Sequence, residues 1–349
     1  MWLKNPVFRN DMEYIAGVDF IPWDKLRGKT LFITGATGLI GFNLISALAY
    51  MNLYKNLPLK ILALVRDEAK ARERFTEIIA EGAPLEFIVG DLEHIPYVTD
   101  KVDYIIHGGS PTASRYFAEH PVETIKMNLA GAMTLLEMAR EKQVESFLFL
   151  SSMEVYGSLH REEKVDENHE SFVNTMNPRS SYPEAKRMIE AMCASYAAQY
   201  QVPAKVIRLT QTFGAGVRKE DNRVYAQFMR QALAGEDLVL LTQGGTRRSY
   251  LYTADAVTAI LTVLLNGENG EAYNAANEET YCSIKDMAEL VARMKGVKAI
   301  VQESAECSKL YPPELYMNLA VEKLHRLSWI SKYSLQDMFV RMSKTMECE

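Results

Sequence analysis

The sequence is poor in the features that mark metal-bound, disulfide-bonded or membrane-spanning proteins. Its 349 residues include 4 cysteines (Cys193, Cys282, Cys307 and Cys348), with no CxxC pair and no histidine spacing suited to zinc. Widely spaced thiols are typical of a reducing compartment, so we expect no metal site and no disulfide framework. No apolar run reaches about 18 residues, and the N-terminus MWLKNPVFRNDMEYI carries charge where a signal peptide is apolar. We therefore expect a soluble, cytoplasmic protein that does not enter a membrane.

An excess of positive charge is also missing. The net charge is −6 and the basic residues are scattered, so the chain has no electrostatic reason to bind nucleic acid or an anionic membrane. An anionic ligand must then be held by a local site. The hydrophobic and charged fractions, 48% and 24%, are ordinary for a globular protein with an ample core.

Short apolar runs alternate with helical patterns from about residue 29 onward. The runs are TLFITG (30–35), KILALVR (60–66), LEFIVGD (85–91), VDYIIHGG (102–109), FLFLSS (147–152) and AKVIRLTQTF (204–213). Such runs predict strands covered on both faces, and the alternation predicts an α/β fold with a Rossmann-like, doubly wound parallel sheet. We expect an N-terminal arm over 1–28 and a dinucleotide-binding domain over 29–213. A smaller C-terminal substrate-binding lobe takes most of 214–349, with some segments returning to the first domain.

A glycine-rich turn, TGATGLIG, joins the first predicted strand to the first helix. Gly35, Gly38 and Gly41 follow the pattern GxxGxxG. Glycines let the backbone approach a pyrophosphate, whose charge the helix N-terminus stabilises. The strand and helix on either side make a dinucleotide site the favoured interpretation over a purely structural turn. Asp91, after the third strand, could accept a hydrogen bond from the adenine amino group or could cap a turn.

The end of the second strand, LVRD, leaves the choice between NAD and NADP open. An acidic residue is expected there to bind the ribose hydroxyls. Asp67 could do so, or could cap the following helix. Arg66 could pair with a 2′-phosphate, or could be a solvated surface charge.

Tyr182 and Lys186, in YPEAK, share one helical face at i, i+4 spacing. An ammonium beside a phenol favours the phenolate, so we expect Lys186 to lower the pKa of Tyr182 and make it a usable base. By itself the pattern also fits a half-buried aromatic beside a surface lysine. Ser152 at a strand end and the glycine turn upstream favour the catalytic interpretation.

Together these motifs resemble the extended short-chain dehydrogenase/reductase family of nucleotide-sugar epimerases, dehydratases and decarboxylases. The resemblance covers about 28–330, through TGATGLIG, HGGSP, SSMEVYG, YPEAK, RLTQTFG and RRSYLYTAD. The chain is most similar to UDP-glucuronate decarboxylases, through HGGSPTASRYFAEHPVETIKMN, NPRSSY, the EAMC after YPEAKRMI, and DNRV.

The resemblance implies a mechanism and a set of contacts. Ser152 and Tyr182 contact the sugar 4-hydroxyl, Lys186 holds the nicotinamide ribose, and NAD takes the C4 hydride and later returns it. The 4-ketone formed in between acidifies neighbouring C–H bonds or labilises a C5 carboxylate. NAD is the expected cofactor, with NADP possible through Arg66. The predicted cofactor contacts are Gly35, Thr37, Gly38, Leu39, Ile40, Gly41, Arg66, Asp67, Asp91, Leu92, Gly108, Ser110, Asn128, Tyr182 and Lys186.

The stretch SSMEVYG departs from the family at one position. Where 4,6-dehydratases carry Asp-Glu and decarboxylases carry Ser-Glu, this chain has Met153 and Glu154. A thioether cannot donate a proton, so dehydration is disfavoured. Simple 4-epimerases generally lack the carboxylate, so Glu154 indicates proton transfer at a carbon next to C4. It could instead be a corner glutamate bonded to backbone.

The resemblance also implies the substrate, a nucleotide-diphosphate sugar. Arg248 matches the family arginine that faces the diphosphate or a sugar carboxylate, which its planar fork suits, while Arg247 is expected to point the other way. Gln211 and Ala215 stand where the family usually has Asn and Pro. The predicted substrate contacts are Ser110, Met153, Arg179, Gln211, Arg223 and Arg248.

Three hypotheses follow. The first is the enzyme just described, acting as a decarboxylase, an epimerase or a dehydratase. The second is an NADPH-dependent carbonyl reductase, and the third is a non-catalytic dinucleotide-binding scaffold. We also expect a homodimer through the helices at 121–141 and 180–200, since Met188, Ile189, Met192 and Tyr196 form an apolar stripe. That stripe could instead pack on the sheet.

Overall fold

The computed structural model describes residues 3–111, 114–303 and 314–347. The predicted features that involve Cys307, Cys348, Thr112 and Ala113 lie outside these residues. The α-helices of the described ranges are α1 Pro6–Gly17, α2 Leu39–Tyr54, α3 Glu68–Arg74, α4 Thr76–Ala80, α5 Ser114–Glu119, α6 Pro121–Lys142, α7 Ser181–Tyr200, α8 Val224–Leu233, α9 Thr253–Asn266, α10 Ile284–Lys295, α11 Glu322–His325 and α12 Leu335–Met346. The strands are β1 Lys29–Thr34, β2 Leu59–Val65, β3 Leu85–Val89, β4 Tyr104–His107, β5 Ser146–Ser152, β6 Lys164–Val165, β7 Ala204–Leu209, β8 Gln211–Phe213, β9 Leu238–Leu240, β10 Arg247–Tyr252, β11 Ala272–Ala275, β12 Asn277–Ser283, β13 Ala299–Val301 and β14 Tyr316–Leu319.

A seven-stranded parallel sheet forms the centre of the molecule, in the order β11-β7-β5-β4-β1-β2-β3. Apart from the edge strand β3, whose residues are half-buried or exposed, the strands are buried on both faces, because alternate residues enter different hydrophobic clusters. In β1, Leu31 and Ile33 face one cluster with α2 and α9, whereas Phe32 faces the other with α6 and α7. The order of strands reverses between β1 and β4, as in doubly wound sheets. This confirms the predicted Rossmann-like fold.

The C-terminal part of the chain forms smaller sheets and returns twice to the large one. Strands β12, β10, β14 and β6 lie side by side, β8 pairs with β10, and β13 pairs with β9. By contrast, β11 forms the edge of the seven-stranded sheet beside β7, and α9 packs in its core. Because β8 follows directly on β7, the sheet that contains β8 and β10 begins at the carboxyl end of the large sheet.

The predicted strand AKVIRLTQTF is divided between two sheets. Residues up to Leu209 belong to β7 of the large sheet, and residues from Gln211 belong to β8 of the smaller one. Thr210 makes the junction: its N–H donates to Ala275 O at 3.0 Å and its hydroxyl donates to Ser249 O at 2.6 Å. The apolar run is continuous because both halves are buried, which is why the pattern did not reveal the break.

The N-terminal arm is a packed helix. Asn5 caps α1 by accepting from Val7 N at 2.9 Å, and the apolar side chains Phe8, Met12 and Ile15 enter the core. Its Asp11, fully buried, pairs with Arg341 of α12. The arm therefore ties the two ends of the chain together. Within the ranges given above, no helix is both long and apolar enough to span a bilayer.

Candidate active site

The carboxyl ends of β1, β4 and β5 lie side by side and carry the motifs singled out in the sequence. Thr34 pairs in register with His107, and His107 pairs with Phe149, so the three strands end at one edge of the sheet. The glycine turn follows β1, the segment HGGS continues β4, and Ser152 ends β5. This is the edge where ligands of doubly wound sheets bind.

The glycine turn is a cradle that a Cβ would fill at two positions. Gly35 has φ +75°, and a Cβ there would lie 2.6 Å from the carbonyl carbon and oxygen of Gly108. A Cβ on Gly41 would lie 2.9 Å from Ala36 Cα and closer still to the carbonyl oxygen of Gly35. Gly38 is exposed and N-caps α2 without a side-chain hydrogen bond, which leaves the N–H groups of the first turn facing outward. These features fit a pyrophosphate of a dinucleotide.

The end of β4 brings several predicted cofactor residues to the glycine turn. Thr34 Oγ1 accepts from Gly109 N at 3.0 Å and lies 2.8 Å from His107 Nδ1. Ser110 Oγ donates to Asn128 Oδ1 at 2.9 Å, so this predicted pair lies together.

Leu92 is buried against Gly109 and Gly131, which places it beneath the turn. Thr37, Leu39 and Ile40 lie in the turn and the first turn of α2, half-buried.

The acidic residues after β2 and β3 both make local caps. Asp67 N-caps α3 by accepting from Lys70 N at 3.1 Å, and Asp91 accepts from Glu93 N and His94 N at 2.9 and 2.8 Å. Arg66 is exposed. The capping alternative considered for each aspartate is therefore realised, while their contacts with a cofactor stay predictions.

Ser152, Tyr182 and Lys186 lie together at the end of β5. The ammonium of Lys186 donates to Leu150 O at 2.9 Å and lies 5.6 Å from the centre of the Tyr182 ring. The Ser152 hydroxyl lies close enough to the Tyr182 phenol to lower the pKa of the phenol in part. Phe117 of α5 stacks on Tyr182 with ring centres 5.0 Å apart. The serine, tyrosine and lysine predicted to act together are therefore neighbours.

The expected lowering of the tyrosine pKa is wrong for this arrangement. Burial, and then the charge of Glu154, raise the pKa of Tyr182 well above its ordinary value. The nearby Ser152 hydroxyl lowers this pKa, but only in part. Burial also lowers the pKa of Lys186 to about 7, although the charge of Glu190 opposes the shift. Tyr182 and Lys186 are only 6% and 2% exposed, so desolvation outweighs their mutual effect.

Glu154 faces the same group of side chains with arginines beside it. It lies in a 3₁₀ turn, Met153–Tyr156, and its N–H donates to Ser152 Oγ at 3.2 Å. Burial raises the pKa of Glu154, and the charges of Arg248 and Arg179 lower it in part. Arg248 Nη1 also donates to Gln211 Oε1 at 3.4 Å. Arg248 therefore contacts Gln211 and acts on Glu154 through its charge, as does the exposed Arg179.

Two neighbours of these residues point elsewhere. Arg247, on the opposite face of β10, lies 3.6 Å from Glu162, as its alternation with Arg248 predicts. Met153 is buried in a cluster with Met317 and Leu319, and its sulfur lies 3.5 Å from the hydroxyl oxygen of Thr210. This placement favours packing over the predicted substrate contact, which stays a prediction.

Arg223 is held by a neighbour. Its Nε donates to Asp221 Oδ1 and Oδ2 at 3.0 and 3.1 Å, and its guanidinium lies over the ring of Tyr225. A nucleotide would therefore have to compete with Asp221 for this side chain.

Sequence patterns missed three side chains near the site. Phe117 covers Tyr182 as described, and Arg218 Nη2 lies 3.4 Å from the carbonyl oxygen of Thr37 in the glycine turn. Neither residue belongs to a pattern that marks it. Arg208 carried a signal, because a charge inside the apolar run AKVIRLTQTF must find a buried partner. That partner is Glu190, 2.7 Å away.

Comparison with known proteins places these motifs in a family. The sequence model described as "NAD dependent epimerase/dehydratase family" matches residues 31–276. UDP-glucuronic acid decarboxylase 1 is 30% identical in Danio rerio and 31% in Xenopus tropicalis, over 78% and 77% of this chain. The chain spans 62% and 61% of the length of those two relatives. The dTDP-D-glucose 4,6-dehydratase of Homo sapiens is 27% identical over 89% of this chain and 88% of its own length.

Solved structures share the fold at low sequence identity. UDP-glucose 4-epimerase from Thermotoga maritima superposes with a TM-score of 0.75 at 19% identity, over 91% of this chain and 99% of its own. The dTDP-glucose 4,6-dehydratase from Bacillus anthracis gives a TM-score of 0.75 at 19% identity, over 92% and 97%. At this identity the likeness shows the fold.

Proposed function

The chain belongs to the NAD dependent epimerase/dehydratase family, as its motifs predicted, and from this premise we propose that it modifies a nucleotide-diphosphate sugar through transient oxidation at C4. Within the family we propose decarboxylation of a UDP-glucuronate-type substrate. The observation that carries this is the buried Glu154, which follows Ser152 in the chain and whose pKa the charges of Arg248 and Arg179 lower in part. A carboxylic acid within the influence of two cations suits a substrate that itself carries a carboxylate.

The cofactor is NAD in this proposal, held at the cradle of Gly35, Gly38 and Gly41, with Lys186 on its ribose. When bound, it accepts hydride from the sugar carbon and gives it back. Tyr182 takes the proton of the 4-hydroxyl as a phenolate and becomes a neutral phenol, and the Ser152 hydroxyl and the Lys186 ammonium stabilise the phenolate before that transfer. Since the pKa of Tyr182 is raised by burial, the proton is lost only when cationic charge lies close by.

Glu154 acts after the 4-ketone has formed. A C5 carboxylate next to a 4-ketone is a β-keto acid, which loses carbon dioxide and leaves an enolate that takes a proton at C5. Arg248 or Arg179 holds the carboxylate before it leaves. Burial raises the pKa of Glu154, which favours its carboxyl group as the proton donor in this step.

Dehydration is the less favoured outcome. It needs an acid for the departing 6-hydroxyl, and Met153, at the position of that acid, has a buried thioether. Epimerisation at C4 needs no carboxylate beside Ser152. Net reduction by NADPH is the second candidate, because Asp67 is engaged as a helix cap while Arg66 is exposed at the expected ribose position.

The test is incubation with UDP-glucuronate, UDP-glucose, dTDP-glucose and UDP-galactose in deuterated water, with products followed by NMR and mass spectrometry. We expect a UDP-pentose with deuterium at C5 from UDP-glucuronate and no product from the neutral sugars. Tyr182→Phe should abolish turnover, and Glu154→Gln should slow it while the protein keeps its cofactor. A 4-epimer of any of these sugars, or an unlabelled product, would contradict the assignment of Glu154.

The identity of the cofactor has its own measurement. We expect the purified protein to carry stoichiometric NAD, since the hydride returns within each turnover. A cofactor-free protein that binds NADPH more tightly than NADH, and loses this preference in Arg66→Ala, would favour the reductase instead.

We further infer that two copies of the chain associate through α6 and α7. Ile189 of the predicted stripe packs on the sheet, and Met192 and Tyr196 lie partly against the same core, so only Met188 of the four is exposed. The neighbouring exposed apolar side chains are Val122, Ile125, Met133 and Tyr200. Light scattering should give a dimer that Met133→Glu with Met188→Glu converts to a monomer. Met176→Glu, at an exposed residue outside both helices, should leave the dimer intact.

A further inference from the structure

A charged pair lies beneath the catalytic residues and takes no part in the chemistry proposed for them. Glu190 lies one helical turn after Lys186 on α7, and Arg208 lies within β7. Nε and Nη2 of Arg208 donate to the two carboxylate oxygens of Glu190 at 2.7 to 3.2 Å. The two side chains are 15% and 12% exposed, so each charge depends on the other.

The pair is bonded to the elements that carry the other catalytic groups. Ser151 Oγ donates to Glu190 Oε1 at 2.5 Å, and Ser151 directly precedes Ser152 on β5. Nη1 of Arg208 donates to Tyr156 Oη at 2.8 Å, and Tyr156 ends the 3₁₀ turn that carries Glu154. One guanidinium therefore joins that turn to the helix of Tyr182 and Lys186.

We propose that Arg208 is a positioning residue that fixes the turn bearing Glu154 relative to the helix bearing Tyr182 and Lys186. The inference rests on the proposed function, because it concerns the proton transfer assigned to Glu154. The turn has only four residues, and Gly157 N donates to Glu154 O at 3.0 Å where it ends. Because a displacement of about 1 Å can cost about 10²-fold in rate, a tether at Tyr156 matters for catalysis.

The structure offers a matched control for this tether. Tyr156 Oη accepts from Arg208 and donates to Asn274 Oδ1 at 2.8 Å. Tyr252 Oη likewise accepts from Arg341 at 3.0 Å and donates to Asp11 Oδ2 at 2.7 Å. Both tyrosines are fully buried. Each Tyr→Phe variant therefore removes one bond from an arginine and one bond to a side-chain oxygen. Tyr156→Phe does so beside Glu154, and Tyr252→Phe does so where the two ends of the chain meet.

The experiment compares the two variants in the full-length protein. Tyr156→Phe should lower kcat for UDP-glucuronate by about tenfold or more, with KM and bound NAD unchanged, because substrate binding is kept and placement is lost. Tyr252→Phe should lower the melting temperature to a similar extent and leave kcat within about twofold. Arg208→Lys should reproduce the effect of Tyr156→Phe, because an ammonium cannot bond Glu190 and Tyr156 in the same geometry.

Amide hydrogen exchange over residues 152–157 gives a readout that needs no substrate. The turn should exchange faster in Tyr156→Phe and at the wild-type rate in Tyr252→Phe. Equal kcat values and equal exchange in the two variants would overturn the positioning role. A wild-type protein inactive on every nucleotide sugar would instead count against the proposed function, and exchange would still decide whether Arg208 holds the turn.

Discussion

Gly41 and Gly38 are expected to fail in different ways when they are replaced by alanine. At Gly41 the new methyl carbon would lie 2.9 Å from the Cα and carbonyl oxygen of Ala36, and closer to the carbonyl oxygen of Gly35. These are backbone atoms, so α2 must shift against the turn. At Gly38 the nearest atom is the carbonyl oxygen of Gly35, 3.3 Å away, and the methyl would extend into the space before the first turn of α2.

The two effects have different magnitudes. Overpacking of a tight contact costs about 3 kcal/mol at the upper end of its usual range. An unfolding entropy of about 2 cal/mol/K per residue amounts to about 0.7 kcal/mol/K for the whole chain, so Gly41→Ala should lower the melting temperature by about 4 °C. Gly38→Ala should change it by less than about 1 °C and weaken NAD binding by about tenfold, which corresponds to about 1.4 kcal/mol.

The assay is thermal melting of cofactor-stripped protein, followed by titration with NAD. Gly41→Ala should melt early with and without NAD, whereas Gly38→Ala should melt like the wild type and gain less from added NAD. A wild-type melting temperature for Gly41→Ala, or an equal loss of stability in both variants, would refute the assignment of Gly41 to packing and of Gly38 to cofactor binding.

Three further outcomes are expected. Burial raises the pKa of Asp255 from 3.8 to about 7. The contribution of Asp255 to stability is therefore present below about pH 4 and is lost as the pH rises through about 7. The melting temperature of the wild type relative to Asp255→Asn should fall over that interval. Arg218→Ala should reduce the NAD retained after gel filtration without lowering the melting temperature, because this exposed guanidinium reaches the carbonyl oxygen of Thr37, and unchanged retention would exclude a cofactor role. Met153→Ser should lower the melting temperature without raising turnover, because the side chain fills a buried cluster; faster turnover would make position 153 a substrate contact.

The sequence was sufficient for the sheet because each strand had one environment along its whole length. Runs such as TLFITG are buried on both faces, and their hydrophobicity reports that directly. AKVIRLTQTF failed because burial is the same in two different sheets, while the change of sheet at Thr210 depends on hydrogen bonds to distant residues. Hydrophobicity cannot encode which partner a strand has.

The candidate site shows the same distinction between features set by local position and features set by distant contacts. Ser152, Tyr182 and Lys186 could be brought together from spacing because each sits at a fixed place in a strand or helix. The pKa of Tyr182 could not be predicted from spacing, since it depends on Phe117 and Glu154, which lie on other elements and cover the phenol. Likewise Asp67 and Asp91 have side chains that suit both a cap and a ligand, and only the backbone around them decides which bond forms.

The chemistry proposed for this site follows from the absence of an acidic side chain at Met153 and the presence of a carboxyl group at Glu154. In the proposed reaction, Met153 offers no proton for a departing hydroxyl, whereas burial raises the pKa of Glu154 and favours it as the donor to carbon. A proton donor within the influence of two arginine charges suits a reaction that begins with an anionic group and ends with a proton on carbon. Loss of carbon dioxide followed by protonation at C5 has both requirements. Epimerisation at C4 returns a hydride to C4 and places no proton on a neighbouring carbon, so it would leave Glu154 without a step to perform.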